Sequence, residues 1–131
     1  MKIEVSNGEI FDKYAIAFIK SLNIKDPDKL KNIHAEKCIL EKACEEIEQL
    51  YFHNKNEIQK LRNELYIVNM QLWEIEDAIR KKEKMKEFDA EFIRLARSVY
   101  IKNDERSLVK RKLNECTNSI IKEEKSYETY N

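Results

Sequence analysis

Between Glu57 and Arg80 the apolar residues Ile58, Leu61, Leu65, Val68, Leu72, Ile75 and Ile79 recur at alternating three- and four-residue steps. That is the period of a long helix whose seam packs against another helix. Such a seam is not stable in water, so the chain must supply partner helices for it. It holds little material for anything else, because its 131 residues include one Gly and one Pro, too few for the tight turns of a β-fold. The expected fold is all-α, an antiparallel bundle of roughly four helices with a long central hairpin.

Local chemistry sets the helix boundaries. Ser6 and Glu9 make a capping-box pair, in which each side chain takes up a backbone N–H of the other and starts a helix from Asn7 to Leu22. Its stripe of Phe11, Ala15, Phe18 and Leu22, widened by Ile10, Tyr14 and Ile19, needs cover over most of the circumference, so this helix should lie across the others. Asp26 before Pro27 is the next start signal, since the carboxylate accepts from free N–H groups and proline has none to leave unpaired. The second helix extends to Phe52, with Leu30, Ile33, Leu40, Cys44, Ile47 and Tyr51 in heptad register and Lys37 as a charged intruder. It should pair antiparallel with the third through the link His53 to Asn56, although one continuous rod also fits, because the link holds no helix breaker.

After Ile79 the pattern dissolves into RKKEKMKEF, a helix end and loop, and Asp89 caps a fourth helix beginning at Ala90. Its stripe of Phe92, Leu95, Ala96 and Val99 meets Asn103 and Arg106 where apolar residues belong, before Val109, Leu113, Cys116 and Ile120 resume it. Either the helix breaks there or it buries polar groups. Residues 117–131 read as a loosely packed tail whose Ile120 and Ile121 offer a short strand against Ile3 to Val5. No repeat or linker divides the chain, so residues 1–131 are expected to form one domain.

Composition excludes several roles. Twenty-five basic residues balance twenty-five acidic ones, so no global field draws the chain to nucleic acid or an anionic membrane. No apolar run reaches the roughly 18 to 20 residues of a membrane span, and MKIEVSNGEIFDK lacks a signal-peptide core. Cys38, Cys44 and Cys116 form no even set and lie in apolar helical patterns, where thiols act as small hydrophobes. A cytoplasmic protein is expected. His34 and Cys38 share a helical face, but two ligands do not close a metal site, and neither a metal nor a cofactor is expected.

The chemistry-bearing residues fall in three segments. Glu9, Asp12 and Lys13 form a charged turn on the first helix; Trp73, Glu76, Asp77 and Arg80 lie in LWEIEDAIR; Arg97, Tyr100, Asn103, Asp104 and Arg106 lie in LARSVYIKNDER. If the third and fourth helices are neighbours, Asp77, Arg97, Asn103, Asp104 and Arg106 can converge. The cluster is then either an ion-pair network that fixes helix register or a pocket whose guanidinium groups hold a phosphate or carboxylate, with Trp73 and Tyr100 as walls.

These segments, Val5 to Glu9 with Asp12 and Lys13, Leu72 to Asp77 with Arg80, Leu95 to Tyr100 with Asn103, Asp104 and Arg106, and Glu123 to Tyr127, resemble a small bacterial all-helical family catalogued as a domain of unknown function. The family's first helix continues with a Thr and, three residues on, a Glu, where this chain has Ala15 and Phe18. The resemblance implies a standalone domain and supplies no reaction. It also implies a saccharide or cell-envelope pathway setting, with a sugar nucleotide or a pathway protein as partner. The leading functional expectation is a noncatalytic helical interaction or assembly protein that self-associates as a dimer or binds a protein partner. The alternative is a small all-helical enzyme or anion-binding module taking a small anionic ligand, for which Arg80, Arg97 and Arg106 should converge on a cavity.

Overall fold

The computed structural model describes residues 1–130 and is all-helical, with no strand among them. Its helices are α1 (Asn7–Asn23), α2 (Pro27–Leu50), α3 (Lys55–Met85) and α4 (Ala90–Cys116), with a 3₁₀ turn at Phe52–Asn54 between α2 and α3. The expected caps are in place. The Ser6 side chain accepts from the Glu9 N–H, Asp26 from that of Asp28, and Asp89 from that of Phe92. Only half of the capping box forms, because the Glu9 carboxylate turns away to Lys110 and Lys13.

Helix α1 packs against all three other helices, while α3 and α4 pair with each other. The core joins Phe11 and Ala15 of α1, Cys44 and Ile47 of α2, Ile58, Leu61, Leu65 and Val68 of α3, and Val109 and Leu113 of α4. The joint between α2 and α3 is a turn and not a continuous rod. Glu48 and Arg62 make an ion pair across it, whereas 14 residues of straight helix would hold them about 21 Å apart. Beyond that joint α2 and α3 are not one another's main partners: α2 lies chiefly on α1, and α3 on α4. The intruding Lys37 stretches its ammonium over the Phe18 ring, 5.2 Å from the centroid, leaving the charge at the surface.

Helix α3 continues through RKKEKM to Met85 instead of ending near Arg80, since Lys, Arg and Glu favour helix and cations suit the last turn. It closes on Lys86 in the left-handed region (φ 56°), with the Glu87 N–H on the Lys82 carbonyl at 3.0 Å, a Schellman-type stop without its usual glycine. Helix α4 does not break at Asn103 or Arg106. Cys38 is exposed, unlike buried Cys44 and half-buried Cys116, so only the latter two serve as small hydrophobes. The expected strand pair is replaced by side-chain links. The Ser119 hydroxyl accepts the Asn7 N–H at 3.0 Å, and the Thr117 hydroxyl accepts from the Asn7 amide at 3.0 Å, so the tail runs beside the start of α1 without a ladder. Ile3 and Ile120 stay exposed. Asn131, the last residue of the expected tail, lies outside the described residues.

Candidate functional site

Where α1 crosses α3 and α4, three polar side chains are buried: Asp12, Asn69 and Asn114. A buried polar group costs roughly 1–3 kcal/mol unless it is hydrogen-bonded, and each of these is. The Asn69 amide donates to Asp12 at 2.8 Å, and Arg106 donates to the Asn69 carbonyl oxygen at 3.4 Å. The second Asp12 oxygen faces Lys110 at 3.8 Å and Arg106 at 4.0 Å. Lys110 also pairs with Glu9. The Asn114 carbonyl oxygen accepts the Gly8 N–H at 2.7 Å, while its amide donates to Glu123 at 3.2 Å. Glu123 also accepts from the Ser6 hydroxyl. Arg106, Lys110 and Asn114 stand four residues apart in turn, so they lie along one face of α4.

Gly8 explains the close approach. A Cβ at this position would lie 2.6 Å from the Lys110 carbonyl oxygen and 2.9 Å from the Asn114 side-chain oxygen. Only the chain's single glycine lets α1 sit this close to α4.

Above this network, the tail folds back along α4 and walls a groove. One cleft of about 270 Å³ takes in Ser107, Lys110, Arg111, Asn114 and Glu123. A neighbouring cleft of about 550 Å³ takes in Tyr100, Asn103, Arg106, Glu128 and Tyr130. Asp104, Lys125 and Tyr127 line both, which makes the groove continuous. The tail is held by Glu123, by Glu124 on Arg111 at 2.8 Å, and by Tyr130, whose hydroxyl donates to Asp104 at 2.6 Å while its ring packs edge-on to Tyr100 at 5.1 Å. The Asp104 bond raises the Tyr130 pKa above the ordinary phenol value. Partial burial works against the Glu123 carboxylate, but the bonds from Ser6 and Asn114, with Lys110 nearby, hold its pKa below the ordinary glutamate value. Lys125 has no carboxylate partner among the described residues and lies 5.7 Å from the Tyr127 ring centroid.

The residues singled out in the sequence divide accordingly. Glu9, Asp12 and Arg106 meet in the network, with Lys13 at its exposed edge 3.7 Å from Glu9. Tyr100, Asn103, Asp104 and Arg106 line the groove. Glu76 pairs with Arg80 at 3.4 Å and Asp77 with Lys81 at 3.1 Å, both as exposed pairs within α3, and Trp73 is half-buried. Arg97 is exposed, and nine residues of helix place it about 180° around α4 from Arg106. Arg80, Arg97 and Arg106 therefore do not share a cavity. Asn69, Lys110, Asn114 and Tyr130 were not singled out. Gly8 was the available signal, because a glycine within a helix costs about 1 kcal/mol relative to alanine unless something must pass close. Among the described residues no three His, Cys, Asp or Glu side chains gather as metal ligands, and no helix is long and apolar enough to cross a membrane.

Of the comparisons with known proteins, the profile of a family of unknown function, DUF6165, matches residues 1–131. Neither a curated protein nor a solved structure matches.

Proposed function

We propose, from the premise that the chain belongs to the DUF6165 family of unknown function, that it is a small helical binding module that takes a phosphate- or carboxylate-bearing ligand in the groove between α4 and the tail. One observation carries this reading: Arg106, Lys110 and Arg111 of α4 and Lys125 of the tail border one groove together with Tyr100, Tyr127 and Tyr130. Guanidinium and ammonium groups hold anions, and tyrosine rings hold the body of a ligand at small entropic cost. The buried Asp12 network beneath fixes Arg106 and Lys110 in place, which reduces the ordering that binding must supply. The three cysteines are free thiols, which suits a cytoplasmic setting.

Thermal melting against phosphorylated sugars, sugar nucleotides and small carboxylates tests the reading. A ligand at one hundred times its dissociation constant stabilises by about 2.7 kcal/mol. The shift should vanish in Arg111→Ala combined with Lys125→Ala and survive in Arg97→Ala, whose side chain lines neither cleft. A flat panel overturns the reading.

A second observation favours a noncatalytic assembly role. From residue 73 to 108, the distal part of the α3–α4 hairpin, Leu95 is the one buried residue described, and Ile93, Ile101 and Leu108 are exposed along α4. A second copy covering α4 would make a dimer. Sedimentation equilibrium should then show a dimer that Ile93→Glu with Leu108→Glu dissociates; a monomer at every concentration removes this role.

A further inference from the structure

The groove already holds anions, and they belong to the chain itself. Glu124 sits on Arg111 at 2.8 Å, and Glu123 is held by Ser6 and by Asn114 at 3.2 Å beside Lys110. Both carboxylates come from a segment without helix or strand, whose residues from 120 to 130 are exposed overall, although the Glu123 carboxylate itself is partly covered. The segment follows Asn118, which stands in the left-handed region at φ 46°. The two contacts differ in strength. Glu123 is doubly bonded against the buried network, whereas the Arg111 and Glu124 side chains are 54% and 77% exposed, and an exposed pair of this kind is weak and readily exchanged.

Building on the proposed anion site, we infer that Glu124 is a built-in competitor for Arg111 that any anionic ligand must displace, and that the groove favours a dianionic phosphomonoester over a monoanionic carboxylate because the former can engage Lys125 as well. A carboxylate that replaces Glu124 on Arg111 exchanges one negative charge for another and gains little. A phosphomonoester carries close to two charges at neutral pH and three acceptor oxygens. It can engage Arg111 together with Lys125, which lies along the same cleft without a carboxylate partner among the described residues. Tyr127 borders both clefts and offers its ring to the organic part of the ester.

Two probes with the same ring and different heads test this: phenyl phosphate and benzoate, titrated calorimetrically into wild type, Glu124→Gln and Arg111→Ala at pH 7.5. Wild type should bind phenyl phosphate more tightly than benzoate. Glu124→Gln should tighten both probes by about two- to fivefold, the effect of freeing one partner of an exposed ion pair, and leave the preference between them in place. Arg111→Ala should weaken both. If Arg111→Ala weakens both probes while Glu124→Gln leaves both affinities unchanged, the competitor role is overturned and the anion site stands. If wild type binds neither probe, both readings fall.

Discussion

Replacing Gly8 by alanine probes the approach of α1 to α4, on which the polar centre depends. The added methyl carbon would lie 2.6 Å from the Lys110 carbonyl oxygen and 3.2 Å from its carbonyl carbon, both backbone atoms of α4, and 2.9 Å from the Asn114 oxygen. Helix backbone cannot swing aside as a side-chain tip can, so α1 must back away. Overpacking of this kind costs about 1–3 kcal/mol, and stretching the buried bond from the Gly8 N–H to Asn114 adds about 1 kcal/mol. Alanine recovers about 1 kcal/mol through its better helix propensity. The net expectation is a loss of about 2 kcal/mol, a fall in Tm of about 8 °C for a chain of this size. Urea unfolding followed by far-UV circular dichroism measures it. A variant as stable as wild type, or more stable, would show that α1 and α4 do not meet this closely, and the account of the network would fail with it.

Other substitutions have different signs. Asp12→Ala removes the acceptor of Asn69 and the shared partner of Lys110 and Arg106, and should cost about 3 kcal/mol in urea unfolding; a loss well under 1 kcal/mol would contradict the buried centre. Lys86→Gly relieves a left-handed residue at φ 56° and should raise stability by about 0.5–1 kcal/mol, visible as a higher urea midpoint. The buried Cys44 thiol is pushed up to about 11 from an ordinary 9.0, chiefly by burial. The folded protein thus holds this proton more tightly than the unfolded chain, so this contribution is full below pH 9 and is lost as pH rises toward 11. The loss is roughly 2–3 kcal/mol, and comparison of wild type with Cys44→Ala in alkaline unfolding isolates it; native Cys44 should also resist maleimide at neutral pH while exposed Cys38 reacts. For Glu123 the shift is downward from 4.5, so its hold on the tail is complete above that value and weakens as pH falls through the lowered one. Amide chemical shifts across residues 119–130 should move toward random-coil values in acid, and a flat profile would show that Glu123 does not anchor the tail.

Periodicity made the core legible. Ile58, Leu61, Leu65, Val68 and Leu72 are all buried, as a seam read from spacing alone requires, while Ile75 and Ile79 at its end are only half-buried. The cap residues were equally readable, because capping is local chemistry over three residues. Helix partnership was not, since α1 and α3 offer similar stripes and only three-dimensional packing decides which of them α2 covers. The polar break at Asn103 and Arg106 posed a choice that the sequence left open. The answer depends on Asp12, more than ninety residues away, whose buried carboxylate makes partial burial of the Arg106 side chain tolerable. The groove was the least legible part, because residues 117–130 have no periodicity and are placed by single contacts to Ser6, Asn7, Asp104 and Arg111.

An NMR titration of the isotopically labelled protein with phenyl phosphate tests the anion site most directly. The account predicts saturable shift changes confined to residues 100–114 and 119–130, with the hairpin from 73 to 97 unaffected. Absence of any change at millimolar probe, or changes centred outside the groove, would contradict it.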